Sequence, residues 1–250
     1  MSSSNHTNDQ TLRPQDQLKK DAGVRAAAEI RSGMIVGLGT GSTVRFALEE
    51  IGRRIAAGEL RDVVGIASSQ QTEDIALRVG IPLSNLNAHP RLDIYIDGAD
   101  EIDANLDAIK GGGGALLREK VLAQNCARFI VIADESKFVK HLGAGFALPV
   151  EVLPFASGAE RRFLEQLGAE VTTRTQTNGD AVFTDNGNII LDCDFGAIDD
   201  PLDLAASLDG RAGIVEHGLF IALADELMLA SKEGVRLLTC AVRDPQGPIA

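Results

Sequence analysis

Closely spaced cysteines, clustered histidines, a basic stripe and a long apolar run are all missing from this 250-residue chain, and each absence removes a class of function. Cys126, Cys193 and Cys240 lie far apart with no CxxC pair. That is neither a zinc pattern nor a disulfide framework, and it suits a reducing compartment. Four scattered histidines give no basis for a histidine-built metal site. Lysine and arginine number 24 against 36 acidic residues, a formal charge of -12, so a nucleic-acid surface is not expected. The acidity names no substrate, and an anion site would need a local positive pocket against that field. No segment reaches the roughly 18 apolar residues of a membrane helix. The opening MSSSNHTNDQTLRPQDQ is polar and lacks the apolar core of a signal peptide, so the sequon Asn5-His6-Thr7 reads as an accident. A cytoplasmic protein with no membrane or nucleic-acid partner is expected.

What is present is enough apolar material for a core, 44% of residues, in clear alternation. Residues 1–15 read as a disordered tail. Strands are predicted at 34–39 (MIVGLG), 63–68 (VVGIAS), 92–97 (LDIYID) and 129–134 (FIVIAD), with helices at 42–57, 71–79 and 115–127. This order implies an open, mostly parallel Rossmann-like α/β sheet with helices on both faces. Ligands of such sheets bind beyond the carboxyl ends of the strands. GLGTGST, SSQQT, DGAD and DESK all fall there. From 143 to 217 the order becomes βαββαβ, with strands at 148–154, 170–175 and 211–216, a hairpin around Asp185-Asn186-Gly187, and helices at 158–167 and 200–208. We read 143–217 as an inserted ferredoxin-like α+β domain within a main catalytic domain of 16–142 plus 218–250. The last segment returns strands to the main sheet.

Gly37 to Thr43 follows a strand and opens a helix. Glycines allow close backbone approach, and helix-start amides favour an anion. A Walker loop would need GK[ST], and a dinucleotide fingerprint would need a third glycine where Ser42 stands and an acid where Ser68-Ser69 end the second strand. A small phosphate or sugar-hydroxyl cradle remains, beside the plainer reading of a turn that only serves strand-to-helix geometry.

The run DGADEIDANLDAIKGGGGALLREK at 97–120 carries the chemistry. Asp97, Asp100, Lys110 and Glu119 bracket a glycine loop that opens a helix. Acid, oxyanion clamp and base are the parts that move a proton beside a carbonyl. Leu122, Ala123 and Cys126 stand at i+3, i+4 and i+7 from Glu119, which would turn it inward and raise its pKa. An exposed Glu119 paired with Arg118 or Lys120 fits the same spacing. The acids at 97, 100, 101 and 103 could hold a loose magnesium ion, although they do not match an EF-hand.

With GLGTGST, DGADEID, KGGGGALLREK, IADESK, LPVEV, TDNGN and HGLF in order, the chain from about Leu18 to about Leu238 resembles ribose-5-phosphate isomerase of the A type. The resemblance implies a homodimer or homotetramer needing no metal or organic cofactor. It implies ribose 5-phosphate and ribulose 5-phosphate as substrates, in the non-oxidative pentose phosphate pathway. It places Thr40, Gly41, Ser42, Thr43, Asp97, Gly98, Ala99, Asp100, Lys110, Gly111, Gly112 and Gly113 around the sugar phosphate. Glu119 would be the proton acceptor, and Lys137 and Lys19 would reach the phosphate. The polar tail, the extension after Leu238 and the apolar Ile221-Ala222-Leu223 depart from the family pattern.

The expected chemistry is isomerisation through a cis-enediolate. Asp97 would assist ring opening, Glu119 would carry a proton between C2 and C1, Lys110 and glycine amides would hold the oxyanion, and Asp100 would orient hydroxyls or Lys110. A sugar-phosphate-binding regulator would need a DNA-binding module for which the tail is too short. A sugar-phosphate deaminase or an acyl-CoA transferase on a similar sheet lacks the reason for a lysine and a glutamate around the glycine run.

Overall fold

The computed structural model describes residues 12–239. In chain order the elements are α1 (Pro14–Ala27), β1 (Ile35–Leu38), α2 (Ser42–Ala56), β2 (Val64–Ala67), α3 (Gln70–Arg78), β3 (Ile94–Gly98), β4 (Glu101–Ile102), β5 (Ala108–Ile109), α4 (Leu116–Gln124) and β6 (Phe129–Asp134). There follow β7 (Leu148–Val152), α5 (Ser157–Gln166), β8 (Glu170–Thr173), β9 (Ile189–Asp194), α6 (Pro201–Asp209), β10 (Ile214–His217), β11 (Leu219–Phe220), β12 (Glu226–Ser231) and β13 (Gly234–Thr239). The main sheet has the order β13-β12-β6-β3-β1-β2 and is parallel except for the β12–β13 hairpin. The expected mostly parallel α/β sheet is therefore present.

The order of this sheet positions the site. β2 lies on one side of β1 and β3 on the other, so the chain switches direction between β1 and β3. Connections leave on opposite faces at such a point and open a crevice at the strand ends. The glycine loop after β1 and the DGAD segment at the end of β3 border that crevice. Strand alternation then sets the facing. Ile94 and Ile96 enter the core that contains Val36, Val44 and Leu48, while Tyr95 enters the opposite core with Phe129 and Leu122 of α4. Asp97, two residues beyond Tyr95, is thereby directed to the α4 side.

The βαββαβ segment forms a separate antiparallel sheet of order β10-β7-β9-β8, the ferredoxin-like arrangement. β4, β5 and β11 add a small third sheet that the sequence did not predict.

Several boundaries differ from expectation. Residues 14–15, assigned to the tail, begin α1, with Pro14 in its first turn, where a missing amide costs nothing. Residues 1–11 and 240–250 lie outside the described residues, with the sequon, Cys240 and most of the final extension. α4 stops at Gln124, because the Asn125 side chain turns back onto the Val121 carbonyl (2.7 Å). The predicted hairpin has a strand on one side only. Thr184, Asn186 and Asn188 all donate to Glu151, which anchors the turn sideways and leaves Ala181 and Phe183 with isolated bridges. The strand expected from Arg211 starts at Ile214, because the Arg211 amide closes the end of α6 onto Leu208.

Candidate active site

Asp97, Lys110 and Glu119 meet under the floor of the crevice, all buried. Lys110 Nζ lies 2.8 Å from Asp97 Oδ2 and 3.0 Å from Glu119 Oε2, and it donates to the Gly98 carbonyl (2.7 Å). Asp97 is the most heavily engaged. It accepts from the amides of Thr40 (3.1 Å) and Gly98 (2.7 Å) and from the Tyr95 hydroxyl. Gly39 makes this possible, because a Cβ there would fall 2.1 Å from Asp97 Oδ1. Glu119 is less engaged, with the Lys110 ammonium facing its Oε2 at 3.0 Å.

Charge and burial compete within this trio. Burial is the largest influence on Glu119, and with Asp97 it outweighs Lys110, pushing the carboxyl up to about 8. Burial alone would lower Lys110, but Asp97 and Glu119 outweigh it and hold the ammonium above its ordinary value. Burial first, and then Asp97 and Glu119, keep Tyr95 protonated far above the usual phenol range. A carboxyl held near neutrality beside a permanent cation suits general base catalysis.

Above the trio, the glycine loop is held from two sides. Asp100 Oδ2 accepts from the Gly112 amide at 2.7 Å, and a Cβ on Gly112 would fall 2.5 Å from Asp100 Oδ1. On the other side Arg174 of the four-stranded sheet donates to the carbonyls of Gly111 and Gly112. At the far end, α2 begins at Ser42 with no side-chain cap, leaving its first amides for an anion. Lys19 of α1 donates to Ser42 Oγ (3.0 Å).

These groups line a cavity of about 200 Å³ that includes Lys19, Thr40 to Thr43, Gly98 to Asp100, Lys110 to Gly113, Glu119 and Lys137, with Gln15 and Val44 in addition. Of the expected residues only Asp97 does not line it, being fully enclosed behind Lys110 and Thr40. The Thr40 hydroxyl is also turned away, contacting Ser68 (2.8 Å), Ser69 (2.7 Å) and Thr72 (3.0 Å). This buried hydroxyl cluster explains SSQQT: it fixes the glycine loop from behind. Tyr95 and Arg174 escaped sequence reasoning. The alternation of LDIYID put Tyr95 on the face of Asp97, whereas nothing in TTRT marked Arg174. The acids of DGADEID serve separate tasks, since Glu101 accepts from the amides of Gly143 and Gly145, and Asp103 from those of Asn105 and Asp107. Among the described residues they do not converge as ligands for one ion.

Comparison with known proteins gives a consistent result. The family model described as ribose 5-phosphate isomerase A (phosphoriboisomerase A) matches residues 64–234. A ribose-5-phosphate isomerase A of Desulfatibacillum aliphaticivorans is 52% identical over 227 residues, covering 91% of this chain and 99% of the relative. A ribose 5-phosphate isomerase structure from Plasmodium falciparum is 40% identical with a TM-score of 0.88, covering 91% of this chain and 100% of that one. A D-ribose-5-phosphate isomerase structure in complex with phospho-erythronic acid is 38% identical with a TM-score of 0.88, over 91% of this chain and 100% of that one.

Proposed function

The chain belongs to the ribose 5-phosphate isomerase A family and interconverts ribose 5-phosphate and ribulose 5-phosphate, and we propose that it does so through an enediolate with Glu119 as the carbon base. The observation that carries this is the buried carboxyl of a cavity-lining residue that faces the Lys110 ammonium at 3.0 Å and is pushed up to about 8 by its burial. Glu119 takes the proton from C2 of the open-chain aldose, and negative charge collects on O1. Its return to C1, with the O2 hydroxyl proton passing to O1, gives the ketose. Lys110 and the glycine amides stabilise the charge as it develops. Asp97 acts indirectly by fixing Lys110. Ring opening falls better to Asp100, whose carboxylate lines the cavity. The phosphate sits at the start of α2 between Lys19 and Lys137.

Ribose 5-phosphate supplied with excess chelator is expected to yield ribulose 5-phosphate, because Lys110 and amides do the work of a Lewis acid. Turnover that needs an added metal ion would sink this assignment. kcat/KM is expected to rise between pH 6 and pH 9 with an apparent pKa of about 8, since only the ionised Glu119 can accept a proton. A profile that falls over that range would remove Glu119. Lys137→Ala is expected to raise KM by about 10-fold or more at unchanged melting temperature, the scale of a lost hydrogen bond to a charged group. An unchanged KM would make Lys137 a surface lysine.

The same reading has a catalytic unit of 16–142 plus 218–250 and an inserted unit of 143–217, supported by the separate sheet of the latter, whose core also takes in Ile109, Leu142 and Leu219. It takes the protein to be a cytoplasmic homodimer or homotetramer. The location is supported by the absence of any CxxC pair in the sequence, and among the described residues no helix is long and apolar enough to cross a membrane. Assembly is supported by Phe155, 99% exposed beside half-exposed Leu153.

A further inference from the structure

We propose that Arg174, carried by the four-stranded sheet, is a positioning residue that aims the Gly113 amide at the reacting oxygen. This rests on the isomerase reading above and adds a function for the inserted segment. Arg174 directly follows β8, and its own backbone is tied into the sheet through the Ile190 carbonyl (2.9 Å). Its guanidinium forks onto Asp192 of β9, with Nε 3.0 Å from Oδ2 and Nη2 bonded to Oδ1. That bidentate pair fixes the plane of the fork. The remaining nitrogen, Nη1, donates to the Gly111 carbonyl at 2.7 Å and the Gly112 carbonyl at 3.2 Å.

The consequence follows from the planarity of the peptide bond. In a trans peptide the C=O and the next N–H point in opposite directions. The Gly111–Gly112 unit is gripped at both ends, its carbonyl by Arg174 and its amide by Asp100. The Gly112–Gly113 unit has its carbonyl held by the same Arg174, so the Gly113 amide points away from the guanidinium, and Gly113 lines the cavity. A run of four glycines has little conformational preference of its own. The Gly114 amide closes the turn onto the Gly111 carbonyl (2.9 Å), and Arg174 with Asp192 fixes the direction of that turn against the sheet. The guanidinium charge also polarises the peptide, making the amide a better donor to an anion. Arg174 itself is not among the residues lining the cavity.

Arg174→Ala, Arg174→Lys and the wild type would be compared by steady-state kinetics, thermal melting and inhibition by phospho-erythronic acid. Wild-type turnover of ribose 5-phosphate tests the isomerase reading separately, so its failure cannot be confused with failure here. Deleting an oxyanion donor outright costs about 10²–10³ in kcat. Misaiming one is expected to lower kcat about 10- to 100-fold in Arg174→Ala, with KM changed less than about threefold. Inhibition by phospho-erythronic acid, whose carboxylate carries charge near the reacting oxygen, should weaken in parallel with kcat. Millimolar guanidinium ion should restore part of the lost kcat in Arg174→Ala. Should Arg174→Ala fail to fold, Arg174→Lys decides. It keeps the pairing with Asp192 but cannot hold both carbonyls, and several-fold lower kcat at wild-type KM is expected. Wild-type kcat in either folded variant, or a rise in KM with kcat unchanged, would overturn the proposal.

Discussion

Glu119→Gln is expected to lower kcat by about 10² or more while leaving the affinity for a substrate analogue within a few-fold. Glutamine keeps the shape of the side chain and can still face Lys110, but it cannot accept a proton from carbon. The phosphate and hydroxyl contacts proposed above would lie elsewhere in the cavity, which Ser42, Thr43, Asp100 and Lys137 also line. Removing a buried carboxyl that is pushed up to about 8 should also make the protein no less stable above that pH. The sign follows from linkage. Between the unfolded carboxyl value near 4.5 and about 8, the folded state holds a proton that the unfolded state has released. Wild-type stability from this group is thus present at low pH and lost as pH rises through that window. Steady-state kinetics, a binding titration and melting curves at pH 5 and pH 9 check all three statements. A kcat near that of the wild type would make Asp100, which also lines the cavity, the leading candidate for the base.

Lys110→Met is expected to be the most damaging single change, lowering both kcat and stability. Methionine fills a similar volume but leaves Asp97 and Glu119 in one buried pocket without their cation. Removing one partner of a buried ion pair typically costs about 3–5 kcal/mol, because the other charge is stranded. The melting deficit should be larger at pH 8 than at pH 5, since Glu119 can relieve the stranded charge by taking a proton, and more of it does so at low pH. Loss of the charge beside the developing oxyanion should lower kcat by about 10²–10³. Equal melting deficits at the two pH values would mean that lost packing, and not stranded charge, explains the damage.

Much of this was legible in the sequence. Strand–helix alternation gave the main sheet, and the glycine loop, DGAD and DESK fall at strand ends, which a parallel sheet gathers on one edge. Other features carried no periodic signal. α1 buries Ala22, Gly23, Ala26 and Ala27, small residues that form no visible apolar stripe. β4, β5 and β11 are two residues each, too short to show alternation. Periodicity left Glu119 undecided between core and surface, and the partners of its neighbours resolve it. Arg118 reaches the Asn186 turn, and Lys120 pairs with Glu216. Ile221-Ala222-Leu223, more apolar than the family pattern, splays into two cores. Ile221 packs into one and Leu223 into the other, while Ala222 takes a left-handed φ of 51° with its amide on Asp107. Long-range hydrogen bonds such as Arg174 to the glycine loop leave no local trace, because neither partner's neighbours in sequence encode the other.

Hydrogen exchange at C2 isolates the step assigned to Glu119. Ribose 5-phosphate turned over in deuterated water by the wild type should acquire solvent deuterium on the carbons that exchange a proton with the base. In Glu119→Gln, whose affinity for the analogue and melting curve are expected to be retained, that incorporation should fall by the same factor as kcat. Deuterium entering at the wild-type rate in Glu119→Gln would contradict Glu119 as the residue that carries the proton.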